Sequence, residues 1–280
     1  MLMMARETIS ENVSTTQAYY DGPASEIYRT IWGDNLHMGI PPYEGASLQE
    51  AMDNTNIIMA EAANLTPDDR VIDLGCGYGS TARYIASHYG CTVIGQTISN
   101  EELKLAQERA EKSDASHLLT FEWGDFHNIE YPDGSFDVVW SQEAFLHGAD
   151  KNQILSECYR VLKPGGTFIF SDILVRRETS QADRERIYAR LNTVDIWDHP
   201  DYEQAIKQHG FELLKAEDHS QYVAPTYGGV VSKVRENRSE LVSAIGDETV
   251  DKTIAALDFW VESANAGKVG WGIFLAKKPS

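Results

Sequence analysis

The feature that most constrains this chain is an apolar strand that ends in three alternating glycines. Residues 71–79 read Val-Ile-Asp-Leu-Gly-Cys-Gly-Tyr-Gly, with Gly75, Gly77 and Gly79 at every second position. Glycine has no Cβ, so these positions let the backbone turn tightly and approach a ligand closely. Residues 80–88 then carry small and apolar side chains at helical spacing. The sequence therefore predicts a strand–turn–helix elbow of the kind that binds nucleotides.

The spacing of the glycines distinguishes two kinds of nucleotide site. Dinucleotide-binding folds favour G-x-G-x-x-G, in which the helix N-terminus receives a pyrophosphate. Here the order is G-x-G-x-G, and Asp73 stands just before it. An acid beside accessible backbone suits a cationic ligand that bears an amino-acid group. The same spacing argues against a dehydrogenase.

Strand-like and helix-like segments alternate from about residue 48 to 175, which predicts a parallel sheet with crossover helices. The predicted strands begin at residue 71 and span 92–98, 118–123, 136–140 and 167–171, and the predicted helices span 54–63, 101–112 and 152–162. The predicted fold class is α/β, a Rossmann-like and mostly parallel sheet flanked by helices.

The composition along the chain predicts four segments. Residues 1–47 form an extension rich in tyrosine and tryptophan that closes over the active site, and residues 48–177 form the core. The polar, turn-rich range 178–240 is predicted to be a substrate lid. In the range 241–280, a helix and a strand complete the core.

Charge and cysteine usage limit the partners and the compartment. The chain carries 24 basic and 43 acidic residues, a formal net charge of −19. Such a surface repels nucleic acid and anionic membrane, and it fits either a solvated surface or a cationic partner. Cys76, Cys91 and Cys158 are scattered, so neither a disulfide framework nor a zinc site is predicted. The histidines lack metal-ligand spacing, so no metal is predicted. We find no signal peptide or membrane span, and we expect a cytoplasmic protein.

The elbow resembles the first motif of class I S-adenosylmethionine-dependent methyltransferases. Gly124-Asp125-Phe126 after the third strand and Arg-Val-Leu-Lys-Pro-Gly-Gly at 160–166 extend the resemblance. It implies S-adenosyl-L-methionine as cofactor. The implied cofactor-binding residues are Asp73, Gly75, Gly77, Gly79, Thr97, Glu102, Asp125, Phe126 and Gln142.

The resemblance assigns parts of the cofactor to particular residues. Asp125 is expected to accept the exocyclic amine of adenine, and Phe126 to pack its ring near the base. Thr97 stands where the family usually has an acid that grips both ribose hydroxyls. Glu102, at the start of the next helix, is either the replacement ribose ligand or an ordinary solvent-facing glutamate.

Three further regions narrow the resemblance to the sarcosine/dimethylglycine N-methyltransferases, which make glycine betaine. These regions are residues 18–39, with Tyr-Tyr-Asp, Ile-Trp-Gly and Leu-His-Met-Gly segments, residues 140–150 and residues 266–272. The lid departs most from that family, at 195–202 and 225–229. The resemblance implies methylation of a small amino-acid amine, and the lid decides which one.

The run that follows the fourth strand carries the residues predicted to be catalytic: Gln142, Glu143 and His147. Methyl transfer is an in-line displacement, so an enzyme mainly aligns the reacting groups. An amine must enter neutral, and His147 could accept its proton beforehand. The alternative for His147 is a structural hydrogen bond at the end of the strand.

Aromatic side chains and one cation are predicted to bind the substrate. Aromatic faces stabilise the ammonium that forms on the acceptor. The candidates for this wall are Tyr19, Tyr20, Tyr28, Trp32 and Trp197. Core packing is the commoner role for any single one of them, but the clustering of four in the N-terminal segment favours a binding role there. A substrate carboxylate would match a guanidinium, for which Arg177 is our choice. Arg176, Arg190 and Lys268 remain alternatives.

Two other functions stay open at this point. The same cofactor could serve a natural product methylated on carbon, oxygen or nitrogen, because a lid determines the substrate. A non-catalytic cofactor-binding protein is a third reading. The expected assembly is a monomer or homodimer.

Overall fold

A seven-stranded sheet forms the centre of the computed structural model, which describes residues 2–22, 31–33, 35–191, 193 and 195–280. The strands are β1 Arg70–Leu74, β2 Thr92–Thr97, β3 Leu119–Trp123, β4 Phe136–Gln142, β5 Leu162–Val175, β6 Glu212–Asp218 and β7 Val269–Lys277. The helices are α1 Leu2–Tyr20, α2 Leu48–Ala63, α3 Ser80–Tyr89, α4 Asn100–Glu111, α5 Lys151–Val161, α6 Gln181–Leu191, α7 His199–Gln208, α8 Val223–Glu236, α9 Arg238–Ile245 and α10 Asp247–Asn265.

The sheet has the order β3-β2-β1-β4-β5-β7-β6. Strands β1 to β5 are parallel, whereas β7 is antiparallel to both of its neighbours. The strand order reverses between β1 and β4, and open sheets of this kind bind ligands in the crevice beyond the strand ends at that point. The predicted α/β, mostly parallel architecture is confirmed.

Helix α2 begins six residues before its predicted start because a capping box fixes its N-terminus. The Ser47 side chain accepts from the Glu50 backbone N–H, and the Glu50 carboxylate accepts from the Ser47 backbone N–H. This pair satisfies two donors that have no intrahelical partner. The Ser-x-x-Glu spacing was visible in the sequence.

Strand β6 lies inside the range 178–240 that was predicted as a lid. It pairs with β7 along residues 212–218 and forms an edge of the sheet, and α7 packs beside it. Its exposed and partly exposed side chains make the segment polar, because an edge strand is covered on fewer sides than a central one. The lid range therefore contributes to the sheet layer.

Two apolar clusters cover the two faces of the sheet. Trp140 belongs to one of them and Phe168 and Phe170 to the other, and all three are fully buried. In the part of the chain described, no helix is both long enough and apolar enough to cross a membrane.

Candidate active site

A large cleft opens beyond the carboxyl ends of β1, β2 and β4, and the space within it, open solvent included, is about 830 Å³. Its predicted lining residues are Tyr20, Asp73, Gly75, Gly77, Thr97, Glu102, Phe126, Gln142, Glu143 and His147. Thr16, Asn35, Leu36, His37, Cys76, Ser80, Thr81, Ile98, Gly124 and Ala144 complete the described lining. The topology thus brings ten of the predicted site residues to one cleft.

Glycine backbone forms one wall of the large cleft. Gly75 and Gly77 have φ angles of +76° and +52°, a region that side chains with a Cβ rarely adopt. A Cβ on Gly75 would lie 2.3 Å from the Cβ of Ala144. Glycine is therefore required at this turn for both its conformation and its lack of volume.

Asp73 lies in the large cleft as a buried carboxyl group. It is 2% exposed, and its Oδ2 has no hydrogen-bond partner among the described residues. Burial raises the pKa of Asp73 to about 7, because desolvation penalises the charged form. A cationic or hydrogen-bond-donating partner would stabilise the charged form of such a carboxyl group.

Thr97 and Glu102 meet on the other side of the same cleft. The Thr97 hydroxyl donates to Glu102 Oε2 at 2.8 Å, and Ser99 caps α4 by accepting from the Glu102 backbone N–H. Glu102 is 6% exposed, and burial raises its pKa to about 7. The interpretation of Glu102 as a solvent-facing helix residue is therefore wrong.

Gln142 is held by a hydrogen-bond network at the end of β4. Its Oε1 accepts from Thr81 Oγ1 at 2.8 Å and from Trp140 Nε1 at 3.1 Å. Its Nε2 donates to Asn56 Oδ1 at 3.1 Å. This network fixes the orientation of the amide and ties β4 to α2 and α3.

A second cavity, which we call the aromatic cavity, adjoins the large cleft, and the space within it, open solvent included, is about 530 Å³. Tyr20, Leu36, His37, Glu143 and His147 line both spaces. The other residues of its described lining are Trp32, Met38, Leu146, Ile173, Leu191 and Tyr227. A molecule in the aromatic cavity would therefore lie next to a molecule in the large cleft.

Tyr20 and His147 form a pair at the junction of the two spaces. The Tyr20 hydroxyl lies 2.7 Å from His147 Nε2, so α1 is joined to the short turn Phe145–His147 that follows β4. Burial lowers the pKa of His147 to about 4, with the charge of Lys151 adding to the effect. His147 is therefore neutral at pH 7.

His37 also lies at this junction, and sequence reasoning missed it as a site residue. It is 4% exposed, and its Nδ1 lies 3.0 Å from the Met38 carbonyl oxygen. Burial lowers the pKa of His37 to about 4. The available signal was its place in the Leu-His-Met-Gly segment at 36–39, which carried the resemblance without a role for the imidazole.

Glu143 has the most constrained backbone of the predicted catalytic residues. Its φ is +48°, which is uncommon for a residue with a side chain. Its Oε1 accepts from Ser171 Oγ at 2.6 Å and Trp271 Nε1 at 2.7 Å, and its Oε2 accepts from the Met38 backbone N–H at 2.8 Å. Burial raises the pKa of Glu143 against the opposing effect of these bonds.

Several predicted site residues lie outside the described lining of both spaces. Asp125 accepts from the backbone N–H of His127 at 2.9 Å, and its Oδ1 lies 2.7 Å from His127 Nδ1. Gly79 lies against Phe121, whose ring would be 2.4 Å from an added Cβ. Tyr19 lines a separate groove, which it shares with Trp32.

Arg177 and Trp197 also differ from their predicted placement. Arg177 is half exposed and forms an ion pair with Asp201, because the chain carries it past the sheet into the loop before α6. Trp197 packs against Tyr202, with ring centroids 5.2 Å apart. Neither side chain lines the described part of the aromatic cavity. Tyr28 lies outside the described residues.

Comparison with known proteins identifies the family. A family model described as a methyltransferase domain matches residues 72–170. A sarcosine/dimethylglycine N-methyltransferase of Halorhodospira halochloris is 32% identical over 278 residues, which are 98% of this chain and 100% of that protein. This chain belongs to the S-adenosylmethionine-dependent methyltransferases. The protein is therefore an enzyme of this class.

Other relatives of this methyltransferase differ in their named substrates. A glycine/sarcosine/dimethylglycine N-methyltransferase of Actinopolyspora halophila is 32% identical over 96% of this chain, which spans about half (48%) of that protein. A 27-O-demethylrifamycin SV methyltransferase of Amycolatopsis mediterranei is 31% identical over 93% of this chain and 95% of its own length. A solved structure from Galdieria sulphuraria, assigned only provisionally as a sarcosine dimethylglycine methyltransferase, is also similar. It superimposes with a TM-score of 0.86 at 28% identity, and the match covers 93% of this chain and 99% of that one.

The large cleft of this methyltransferase fits S-adenosylmethionine, the cofactor of its family. The cofactor carries an amino group, ribose hydroxyls and an adenine ring. The cleft offers a buried carboxyl with an unpartnered oxygen at Asp73, a carboxyl at Glu102 and a ring at Phe126, beside the glycine wall. When bound, the cofactor supplies an electrophilic methyl group on a sulfonium. Within the described residues, no group of three or more His, Cys, Asp or Glu side chains is placed to hold a metal ion.

Proposed function

We propose that this methyltransferase methylates the nitrogen of a small amine of the sarcosine/dimethylglycine type, towards glycine betaine. The observation that carries the proposal is the Tyr20–His147 pair, which stands between the large cleft and the aromatic cavity. An acceptor in the aromatic cavity would lie beside the cofactor, with these two side chains at the boundary. The names of the Halorhodospira and Actinopolyspora relatives support the same substrate class.

The aromatic cavity suits an acceptor that becomes positively charged. Tyr20, Trp32 and Tyr227 present rings to it, and the Trp32 and Tyr227 centroids lie 5.6 Å apart in an edge-to-face arrangement. Methylation of an amine places positive charge on nitrogen, and aromatic faces attract cations by about 0.5–2 kcal/mol each. Glu143 adds a carboxyl group at the same wall. This lining favours the ammonium product over a neutral one.

His147 has a defined task within this proposal. An amine attacks only through its lone pair, so it must lose its proton before methyl transfer. His147 is neutral at pH 7 and its Nε2 is paired with the Tyr20 hydroxyl, so the pair can orient the nitrogen of a neutral acceptor. A pKa of about 4 makes this imidazole too weak a base to take a proton from an ammonium group at pH 7, so the predicted role of proton acceptor is not part of the proposal. Orienting the nitrogen requires the neutral imidazole.

We further propose how the cofactor is divided among the cleft residues. Asp73 and the glycine wall receive the methionine part, Thr97 and Glu102 receive the ribose, and Phe126 packs on the adenine. Gln142 acts by fixing the wall between them. The described parts of residues 1–47 close over the site as an extension, and the described helical parts of 178–240 close over it as a lid. We expect the enzyme to act in the cytoplasm as a monomer or homodimer.

A second candidate function is O-methylation of a larger apolar molecule. Leu146, Ile173 and Leu191 line the aromatic cavity, and its described lining contains no arginine or lysine that would pair with a carboxylate. The rifamycin-methylating relative supports this candidate. The difference between the candidates is therefore the presence of a carboxylate on the acceptor.

One assay decides between these functions. Purified enzyme receives methyl-labelled S-adenosylmethionine and, separately, glycine, sarcosine, dimethylglycine, a carboxylate-free amine and a panel of apolar alcohols, with products identified by mass spectrometry. Label in dimethylglycine or betaine supports the main proposal. Label only in an alcohol overturns it in favour of the second candidate. No transfer to any of these acceptors, with cofactor still bound, would overturn both candidates.

A further inference from the structure

His37 has a hydrogen-bonding group that nothing described so far uses. Its Nε2 is fully buried, has no partner among the described residues, and belongs to a side chain that lines both the large cleft and the aromatic cavity. A buried polar atom without a partner costs about 1–3 kcal/mol, so such atoms in native proteins call for an explanation. A bound molecule at the junction would supply the missing partner.

We propose that His37 Nε2 accepts a hydrogen bond from the reacting N–H of the acceptor and so orients its nitrogen towards the methyl donor. The imidazole is set up for this by its neighbour. The Met38 carbonyl oxygen can only accept, so His37 Nδ1 carries the proton and donates to it. A neutral histidine has a single N–H, which leaves a lone pair on Nε2.

Glu143 fixes this arrangement through the same residue. Its Oε2 accepts from the Met38 N–H, while the Met38 carbonyl accepts from His37 Nδ1. The two bonds hold both sides of Met38, so the carboxyl group orients the imidazole without contacting it. Glu143 is in this view a positioning residue, since within the described residues both of its carboxyl oxygens are already bonded, Oε1 to Ser171 and Trp271 and Oε2 to the Met38 N–H.

The proposal has a consequence for the substrate class, and it rests on the proposed N-methyltransferase function. Neutral sarcosine retains one N–H, whereas neutral dimethylglycine has none. His37 Nε2 therefore recognises a secondary amine and contributes nothing to a neutral tertiary one. Wild-type enzyme is expected to prefer acceptors with a hydrogen on the reacting atom.

Two substitutions at His37 distinguish the role of Nδ1 from the role of Nε2. His37→Asn keeps a donor near the position of Nδ1 and removes the acceptor at Nε2. His37→Gln keeps an acceptor near Nε2 and gives up the bond to Met38. We expect His37→Asn to lose about tenfold in sarcosine affinity, measured by calorimetry on enzyme loaded with S-adenosylhomocysteine, which corresponds to one hydrogen bond. His37→Gln should retain most of that affinity.

The readouts distinguish this role from its alternatives. If the imidazole is only structural, His37→Gln will be the damaged variant and His37→Asn will be spared, which overturns the proposal. A weaker affinity of His37→Asn for S-adenosylhomocysteine would assign Nε2 to the cofactor and overturn it as well. An equal loss for sarcosine and dimethylglycine would contradict recognition of the N–H. If the wild type methylates only alcohols, the proposed function fails, and the same two variants measured on that alcohol test His37 separately.

Glu143→Gln tests the positioning step, with Ser171→Ala as its matched control. A glutamine oxygen at the Oε1 position still accepts from Ser171 and Trp271, but its NH₂ then faces the Met38 N–H, donor against donor. Ser171→Ala removes one bond from Oε1 and leaves the Met38 bond. We expect Glu143→Gln to raise the sarcosine KM at least fivefold more than Ser171→Ala does. Equal effects would contradict positioning through Met38, as would loss of a limb of the kcat pH profile in Glu143→Gln alone.

Discussion

Replacing Asp73 by asparagine should stabilise the cofactor-free enzyme at alkaline pH. Burial raises the pKa of Asp73 from its usual 3.8 to about 7. The folded state therefore binds the proton more tightly than the unfolded state, and folding stability falls as the pH rises from 3.8 to 7. Each unit of pKa corresponds to about 1.4 kcal/mol, so the penalty is roughly 2 kcal/mol at pH 5 and roughly 4 kcal/mol at pH 8. Asparagine has no charge to desolvate and avoids this penalty.

The assay is urea unfolding of wild type and Asp73→Asn at pH 5 and pH 8, without cofactor. We expect the stability difference between the two proteins to shift by about 2–3 kcal/mol in favour of the variant between these pH values. Glu102 and Asp172, whose pKa values burial also raises to about 7, are present in both proteins and cancel in the difference. An unchanged difference would refute the argument from desolvation.

The same variant should bind the cofactor more weakly, because a charge-assisted hydrogen bond is worth about 1.5–3 kcal/mol. We expect a loss of about 10–100-fold in affinity for S-adenosylhomocysteine by calorimetry. Asp137→Asn is the matched control, since Asp137 pairs with Lys163 at the opposite end of the sheet and should leave the affinity unchanged. Wild-type affinity in Asp73→Asn would refute its place in the cofactor site.

Further predictions concern the Tyr20–His147 pair, the glycine elbow at 75–79 and the surface residue Arg177. Tyr20→Phe removes the hydroxyl that contacts His147 and should lower kcat at least tenfold in steady-state kinetics while sparing cofactor affinity; an unchanged kcat would contradict a role for the pair. Gly79 has a φ of +71°, and in Gly79→Ala the added Cβ would lie 2.4 Å from the Phe121 ring. Unfolding experiments should therefore show a loss of about 2–4 kcal/mol in the free energy of unfolding; a loss below 1 kcal/mol would be inconsistent with this geometry. Arg177→Ala should leave the KM for the acceptor within twofold, because Arg177 is exposed and pairs with Asp201; a large rise in KM would restore its predicted role.

The part of the fold that sequence reasoning reached was carried by local patterns. The strand, three glycines and helix at 71–89 predicted the elbow, and the alternation to residue 175 predicted the parallel sheet, because both patterns depend on neighbouring residues. The position of β6 was missed because its pairing with β7 joins residues far apart in the chain. An edge strand of polar residues has the composition of a lid.

The candidate site was predicted where it follows the strand ends, whereas in the N-terminal segment Tyr20 and Trp32 were predicted but His37 was missed. Asp73 lies near the end of β1 and Glu143 follows β4 directly, so topology alone brings them together. His37 reaches the same cleft from a distant part of the chain, and the neighbouring Met38 is bound there by Glu143, a contact across 105 positions. Arg177 was chosen for its chemistry, but its ion pair with Asp201 was not visible in the sequence.

Strand β7 lies between β5 and β6 in the sheet, and this placement determines when the wall of the aromatic cavity around Glu143 can be assembled. Strand β6 is held in the sheet by β7, and Trp271 of β7 supplies a hydrogen bond to Glu143. Pairing of β5 with β7 joins residues about a hundred positions apart, and such non-local contacts form slowly. The cofactor elbow, built from residues close in sequence, can form earlier. Hydrogen exchange should accordingly separate two cooperative units, with protection at β1 and β2 appearing before protection at β5, β6 and β7.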